Sequence, residues 1–169
     1  MNAVSPRRYW LTGASSGIGA ALAVELLNSG AHVALSSRTK APLQALAQRY
    51  PGQVLVVAGD LTNSQTVREI GEHIGEVWGA LDTVILNAGT CEYVDAKQFD
   101  SSIIEHVVRT NLLASSYCID AALPLRQRDP PGQFGQIRDL DRRDHPRPAA
   151  HRPGQQRRHQ LRRIGRGRI

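Results

Sequence analysis

The stretch that decides the fold is Thr12-Gly13-Ala14-Ser15-Ser16-Gly17-Ile18-Gly19, with three glycines spaced G-x3-G-x-G. The residues before it, 9–11, read as a short buried strand. Those after it predict a helix whose apolar stripe contains Ile18, Leu22 and Leu26. Glycines at such a turn let the backbone approach a pyrophosphate, whose charge the helix N-terminus attracts. The stretch therefore indicates a nicotinamide dinucleotide site, although an ordinary glycine-rich turn remains the alternative.

From residue 8 onward, strand-like and helix-like segments alternate, which is the signature of a parallel sheet covered by helices. The later strands are predicted at 32–36, 54–58 and 83–86, and the later helices at 41–50, 65–77 and 101–123. Asn63 or Ser64 is expected to cap the helix at 65–77. The apolar faces of the last two helices are predicted from Val67, Ile70, Ile74 and Val77, and from Ile104, Val107, Val108, Leu112, Ile119 and Leu123. Right-handed crossovers give the strand order 3-2-1-4, an α/β, Rossmann-type doubly wound parallel sheet that stops after about four strands.

The two parts of the chain differ sharply in composition. Residues 1–125 carry 8 Lys and Arg against 11 Asp and Glu, whereas residues 126–169 carry 13 Arg against 4 Asp. Only six of the last 44 residues are Leu, Ile or Phe, a share below the ~20% under which a charged segment rarely folds. We expect an NAD(P)-binding domain over 1–125, incomplete for its fold, and a disordered basic tail rich in Arg and Pro over 126–169.

Several classes of protein are not expected. The segment 1–8 has no apolar core of a signal peptide, and no run of about 18 apolar residues could span a membrane. We therefore expect a cytoplasmic protein without a membrane partner. Cys91 and Cys118 are too few and too unpatterned for a disulfide framework or a metal site, and no metal ligand is predicted.

Four motifs in one order make the sequence similar to the short-chain dehydrogenase/reductase family over about residues 8–125. The glycine motif matches at residues 12–19. The acidic residue that ends the third strand matches at Asp60, and the family's N-A-G after the fourth strand matches at residues 87–89. The helical asparagine of the family's catalytic tetrad matches at Asn111, which in relatives helps to hold a water in the proton relay.

The resemblance implies a set of site residues. The cofactor-binding residues would be Gly13, Ser15, Ser16, Gly17, Ile18, Gly19, Ser37, Arg38, Asp60, Leu61, Asn87, Ala88 and Gly89. Asp60 would border the adenine, or simply begin a turn into the next helix. The segment 87–89 could likewise be a plain strand-to-loop turn. Asn111 would be catalytic, or a buried asparagine that finds structural partners.

The choice of cofactor depends on the residues that follow the second strand. An acidic residue there would accept hydrogen bonds from the ribose of NAD, whereas an arginine would meet the phosphate of NADP. This chain has Ser36-Ser37-Arg38 at that point. A planar guanidinium suits a phosphate, so we predict NADP rather than NAD, with a solvated loop charge as the alternative for Arg38.

The sequence departs from the family where the proton donor should be. Relatives carry a Ser and a Tyr-x3-Lys after the tetrad asparagine, but the last serine and tyrosine of this chain are Ser116 and Tyr117. Tyr93 and Lys97 have the right spacing yet precede Asn111, where the family has a variable loop, so we do not assign them a role. Loss of a positioned acid costs about 10²- to 10⁴-fold in rate. We expect little activity from the chain as written.

A shifted reading frame would explain why the family pattern gives way to an arginine-rich sequence. Written in GC-rich codons and read one nucleotide later, residues 139–142 give Ile-Ser-Ile-Ala, like the family's serine strand. Residues 161–164 similarly give Tyr-Gly-Ala-Ser, like its tyrosine segment. The fit is imperfect, since the following codon cannot supply the lysine.

We interpret the chain as the cofactor-binding half of an NADP-dependent oxidoreductase. Intact relatives of this family interconvert small carbonyls and alcohols. Relatives form homo-oligomers, but the pattern of this chain gives no firm basis for expecting one. Two alternatives stay open: a nucleotide-binding protein without turnover, and a nucleic-acid-binding protein that uses its arginines. The second is not expected, because the tail has only Phe134 for stacking on bases.

Overall fold

The computed structural model describes residues 6–94, 96–97 and 99–126, and its regular elements alternate strand and helix as far as the fourth strand. The strands are β1 (Arg8–Thr12), β2 (His32–Ser36), β3 (Val54–Val56) and β4 (Thr83–Ile85). The helices are α1 (Gly17–Asn28), α2 (Lys40–Arg49), α3 (Ser64–Trp78), α4 (Ser101–Val108) and α5 (Ala114–Ala122). A π-helical turn, Arg109–Leu113, joins α4 to α5, and a 3-10 turn, Leu123–Leu125, follows α5.

The strands form one parallel sheet in the order β3-β2-β1-β4, which confirms the predicted topology. β1 pairs with β2 on one side and with β4 on the other, so Trp10 lies between Ala34 and Val84. Because the strands are parallel and in register, their carboxyl ends meet at one edge of the sheet, where open α/β sheets bind ligands.

Two apolar clusters cover the two faces of the sheet. Trp10 belongs to the cluster beneath α3 and α5, and the next residue, Leu11, belongs to the cluster beneath α1 and α2. Both side chains are fully buried. A central parallel strand is covered on both faces, which is why β1 reads as a continuous apolar run. The polar end of Trp10 is satisfied by its indole N–H, which donates to Ser36 Oγ at 2.8 Å.

The predicted helical faces were partly wrong. Ile18 is 79% exposed and Val77 is 51% exposed, although both were expected on buried stripes. α1 buries Gly19, Ala23 and Leu27, each one residue along the chain from the predicted stripe. The interval of four is visible in the sequence, but apolar residues at adjacent positions do not show which face packs on the sheet.

The long predicted helix over 101–123 is also corrected. The π turn interrupts it, and most of its predicted stripe is exposed: Ile104, Val108, Leu112, Ile119 and Leu123. The buried side of α5 consists instead of Ala114, Cys118 and Ala122. These small residues bring α5 against α3, where a Cβ added at Gly71 would lie 2.9 Å from Ala121 Cβ.

Local cap chemistry sets both ends of α3. Asn63, one of two predicted caps, is the N-cap of α3, and its side chain accepts from the amides of Gln65 and Thr66. Gly79 ends that helix in the left-handed conformation, with φ of 73°. The predicted tail lies, beyond Arg126, outside the described residues.

Candidate functional site

A glycine turn at the end of β1 forms the floor of the candidate site. Gly13 and Gly17 have φ of 68° and 55°, in the left-handed region that favours glycine. A Cβ at Gly13 would lie 2.9 Å from Ala88 Cα, so the loop after β4 approaches this turn backbone to backbone. At Gly17 nothing lies within 4 Å of an added Cβ. The turn is therefore packed on its inner side and open on its outer side.

Gly19 packs even more tightly, although its backbone is helical. A Cβ there would collide with the Gly13 carbonyl and would lie 2.5 Å from Asn87 Nδ2. The Asn87 amide occupies that place because it donates to the carbonyls of Thr12 and Gly13, both at 3.2 Å. Asn87 thus fixes the glycine turn through hydrogen bonds that only a side-chain-free position 19 permits.

The hydroxyl of Thr12 is a further link that sequence reasoning missed. It donates to the Ile85 carbonyl at 3.2 Å and accepts from the amides of Asn87 and Ala88, each at 3.0 Å. The side chain is 1% exposed. The sequence signal for this link was a polar residue at the buried end of β1, because a buried polar group needs hydrogen-bond partners.

The N-terminus of α1 opens onto the same place. Its N-cap, Ser16, makes no side-chain hydrogen bond to the first turn. The first amides of a helix have no partner within the helix, and they attract anions together with the helix dipole. The exposed Ile18 lies at this terminus, which explains why a large apolar side chain of α1 is not buried in the core.

Two residues that follow β2 bound the site on another side. Ser37 is buried, and its hydroxyl donates to the Thr39 carbonyl at 2.6 Å, which tightens the turn. Arg38, which lies between Ser37 and Thr39, is exposed. The turn thus fixes the backbone while the guanidinium remains available to a ligand.

Asp60 and Leu61 follow β3 and have different environments. Asp60 is exposed, and its Oδ1 accepts from the Thr62 amide at 3.0 Å and from the Thr62 hydroxyl at 2.8 Å. These two hydrogen bonds lower the pKa of Asp60, and the charge of Arg38 adds a smaller effect in the same direction. Asp60 therefore forms a turn with Thr62, and Leu61 is buried in the core.

Asn111 lies in the π turn and is exposed rather than buried. Its Oδ1 accepts from the Thr90 amide, and its Nδ2 donates to the Thr90 carbonyl, both at 2.8 Å. The Ser115 hydroxyl donates to the Asn111 carbonyl at 2.9 Å. A Cβ at Gly89 would lie 3.3 Å from Asn111 Oδ1. The side chain thus ties the wide helical turn to the loop after β4.

The loops that follow the four strands line one cleft of about 760 Å³ at the carboxyl edge of the sheet, whereas Thr12 and Asn111 do not line it. Its lining includes each of the thirteen residues predicted to bind the cofactor. Sequence reasoning missed eight others: Thr39, Gly59, Thr62, Thr90, His106, Arg109, Thr110 and Ala114. Three of these, His106, Thr110 and Ala114, recur at intervals of four on the helical segment that holds Asn111. This interval of four was the sequence signal that could have identified these three residues.

The Tyr93–Lys97 pair does not take part in this cleft. Tyr93 is 96% exposed, and neither residue is among those that line the cleft. No group of three or more His, Cys, Asp or Glu suited to a metal ion occurs within residues 6–94, 96–97 and 99–126. In that same part of the chain, no helix has the length and apolar character needed to cross a bilayer.

Comparison with known proteins gives a consistent result. A sequence model described as short chain dehydrogenase matches residues 8–137. An uncharacterized oxidoreductase of Staphylococcus aureus (strain MW2) is 38% identical over 117 residues, which cover 68% of this chain and 50% of that protein. The chain thus spans about half the length of the curated relatives it matches.

Solved structures are similar over the same region. The KRED1-Pglu enzyme is 30% identical with a TM-score of 0.67, and the match covers 70% of this chain and 51% of that enzyme. An NADPH-bound carbonyl reductase from chicken fatty liver is 24% identical with a TM-score of 0.66, over 72% of this chain and 52% of the reductase. At that identity the second likeness concerns the fold alone.

Proposed function

Because this chain belongs to the short-chain dehydrogenase family, we propose that its cleft binds NADP(H) for an oxidoreductase reaction on a small carbonyl or alcohol. Residues 1–125 would form the cofactor-binding domain and residues 126–169 a separate basic tail. A cytoplasmic location is part of the same proposal.

One observation carries this proposal: thirteen residues from four separate loops, chosen from the sequence, line a single cleft. The cleft also suits the pyrophosphate of a dinucleotide. Its glycine turn leaves open space at Gly17, and the first amides of α1 have no side-chain cap. Backbone amides at a helix N-terminus are a general solution for binding phosphate.

The chain's own residues would divide the work as follows. The glycine turn and the α1 amides would hold the pyrophosphate, and Asn87 would keep that turn in shape through its two hydrogen bonds. Ala88 and Gly89 would lie close to a ribose. When bound, the nicotinamide supplies or accepts the hydride. Asn111, bonded to Thr90 through both its side-chain atoms, would hold its helical turn steady for a water in the proton path.

A preference for NADP over NAD rests on Arg38. The guanidinium is exposed at the cleft, close enough to Asp60 to lower the pKa of that carboxyl group. No carboxylate stands at the end of β2, where one would accept from the ribose hydroxyls of NAD. An arginine can bind a phosphate through two parallel hydrogen bonds. Arg38 would therefore be the donor for the extra phosphate of NADP.

The reaction also needs a group that gives or takes the substrate proton. Tyr93 is exposed outside the cleft, and the printed sequence has no tyrosine after Tyr117. Since a positioned acid contributes about 10²- to 10⁴-fold, the 169-residue chain should bind the cofactor but turn over slowly.

The test is NADPH oxidation by the 169-residue chain with a panel of aldehydes and ketones. We expect a rate at least ~100-fold below that of a chain whose residues from 126 onward are read in the neighbouring frame. Tyr93→Phe should change neither rate. Robust turnover by the 169-residue chain that Tyr93→Phe abolishes would show that the exposed tyrosine is the proton donor.

We attribute the change of composition near residue 126 to a shifted reading frame. The DNA should then encode, in another frame, a serine followed by Tyr-x3-Lys and roughly a hundred further residues, which would complete a domain of ordinary size. Resequencing the DNA from codon 120 to well beyond codon 169 tests this. Three frames without such a continuation would exclude the frame shift.

Two other functions would give different results. A nucleotide-binding protein without catalysis would bind NADPH tightly and show no turnover even with the restored frame. A nucleic-acid-binding protein would bind through the 13 arginines of residues 126–169, and its affinity would fall steeply with salt. We favour the oxidoreductase over both because the chain belongs to the short-chain dehydrogenase family.

A further inference from the structure

Three buried polar side chains in the described part of the chain lie at the carboxyl ends of β1 and β2: Thr12, Ser36 and Ser37. The Thr12 hydroxyl ties the loop after β4 to the end of β1, and the Ser37 hydroxyl tightens the turn after β2. Ser36 differs from both, because the bond of its hydroxyl reaches into the core. It accepts from the indole N–H of Trp10 at 2.8 Å.

This hydrogen bond joins the two strands at a diagonal. Trp10 pairs with Ala34 in the sheet, and Ser36 lies two residues further along β2. Because side chains alternate along a strand, Ser36 points to the same face of the sheet as Trp10, the face beneath α3 and α5. Neither side chain is exposed to solvent. A tryptophan is rarely buried in full, since its N–H then needs a partner inside the protein. Ser36 is that partner.

The backbone of the two adjacent serines links the loops of the cleft. The Ser36 carbonyl accepts from the amide of Ala14, within the glycine turn, at 3.1 Å. The Ser37 carbonyl accepts from the amide of Gly59, after β3, at 3.0 Å. Arg38 follows Ser37 directly, so the strand end from which its side chain extends is held on both sides.

We propose that Trp10 and Ser36 are positioning residues for Arg38 and thereby set how strongly the cleft prefers NADPH to NADH, an inference that rests on the function proposed above. Neither residue lines the cleft, so both act through the end of β2 and not by touching the cofactor. Binding groups must be held within about 0.5 Å of the productive geometry. Loss of the Ser36 hydroxyl would leave the buried indole N–H without its partner, and the indole or the end of β2 would have to move.

The decisive variant is Ser36→Ala. It should lower the ratio of NADPH affinity to NADH affinity about three- to tenfold in calorimetry, which is part of the roughly 10- to 100-fold effect of a charged hydrogen bond. A shift of the glycine turn through Ala14 would weaken both cofactors alike and so cancels in this ratio. Trp10→Phe keeps a buried aromatic ring but removes the donor, and it should lower the ratio by a similar factor. In the double variant the ratio should fall no further than in either single variant, because both changes break one hydrogen bond.

Two further variants separate positioning from stability. Ser36→Thr keeps the hydroxyl and should keep the ratio within about twofold of that of the unaltered chain, whatever the added methyl group does to the melting temperature. Ile74→Val removes a methylene group from the apolar cluster that contains Trp10, and Ile74 does not line the cleft. It should lower the melting temperature by a few degrees and leave the ratio unchanged. An equal fall of the ratio in Ile74→Val and Ser36→Ala would overturn the positioning role, because lost stability alone would then explain it.

An Arg38→Ala background shows whether the effect passes through the guanidinium. In that background Ser36→Ala should leave the remaining ratio unchanged, and a further fall would overturn Arg38 as the group that is positioned. If the unaltered chain binds NADPH and the ratio is unchanged in Ser36→Ala and in Trp10→Phe, the positioning role is overturned while the proposed function stands. Failure of the folded, unaltered chain to bind NADPH would overturn both.

Discussion

Gly19→Ala should abolish NADPH binding, with a loss of at least ~100-fold if the phosphates depend on this turn for two or more charge-assisted hydrogen bonds. An added Cβ would collide with the Gly13 carbonyl and press on Asn87 Nδ2. Both contacts are with groups that cannot move separately, because Asn87 is hydrogen-bonded to the carbonyls of Thr12 and Gly13. Isothermal titration calorimetry measures the loss.

The collision of the added Cβ opposes the intrinsic preference of a helix for alanine over glycine. Alanine is favoured over glycine within helices by roughly 1 kcal/mol, so Gly19→Ala would stabilise α1 if the turn did not matter. Circular dichroism and thermal melting separate a misplaced turn from an unfolded chain. A folded Gly19→Ala variant that binds NADPH normally would contradict the role given to the glycine turn.

Gly75→Ala is the matched control. Gly75 is also a helical glycine, in α3, and its added Cβ would meet Leu125 Cδ2 at 2.8 Å. That atom is the end of a flexible side chain, which can move aside. The variant should therefore fold and bind NADPH like the unaltered chain, since Gly75 does not line the cleft.

Arg38→Glu should reverse the preference between the two cofactors. Hydrogen bonds to charged groups contribute about 1.5–3 kcal/mol each, which corresponds to a 10- to 100-fold loss of NADPH affinity. The new carboxylate would also repel the phosphate while offering the ribose hydroxyls of NADH an acceptor. Calorimetry with both cofactors measures the ratio of their affinities.

Arg68→Glu controls for the change in net charge. Arg68 is exposed on α3, donates to Gln65 Oε1 at 3.5 Å, and does not line the cleft. This variant should keep the NADPH preference, apart from a small effect of net charge that salt removes. If Arg38→Glu and Arg68→Glu changed the ratio equally, the guanidinium of Arg38 would have no specific role.

The sheet and the glycine turn were predictable because local chemistry determines them. Buried parallel strands such as β1 require apolar side chains on both faces, and left-handed backbone at Gly13 and Gly17 requires glycine. The cap at Asn63 followed from the same kind of local rule. These features are visible in short windows of sequence.

Other features depend on partners that lie far away in the chain. The burial of Ala114 in place of Leu112 is set by the close approach of α5 to α3, which no single helix reveals. Asn111 makes its hydrogen bonds to Thr90 from a π turn, where periodicity predicted an unbroken helix. The role of the Thr12 hydroxyl depends on amides 75 and 76 residues later.

The most direct test is calorimetry of the unaltered 169-residue chain with NADPH and with NADH. The cleft, the glycine turn and Arg38 together predict one bound NADPH per chain, with at least ~10-fold lower affinity for NADH, as expected for one charge-assisted contact to the extra phosphate. Absence of NADPH binding by a folded chain would contradict the account. Equal affinities for the two cofactors would contradict the assignment of Arg38.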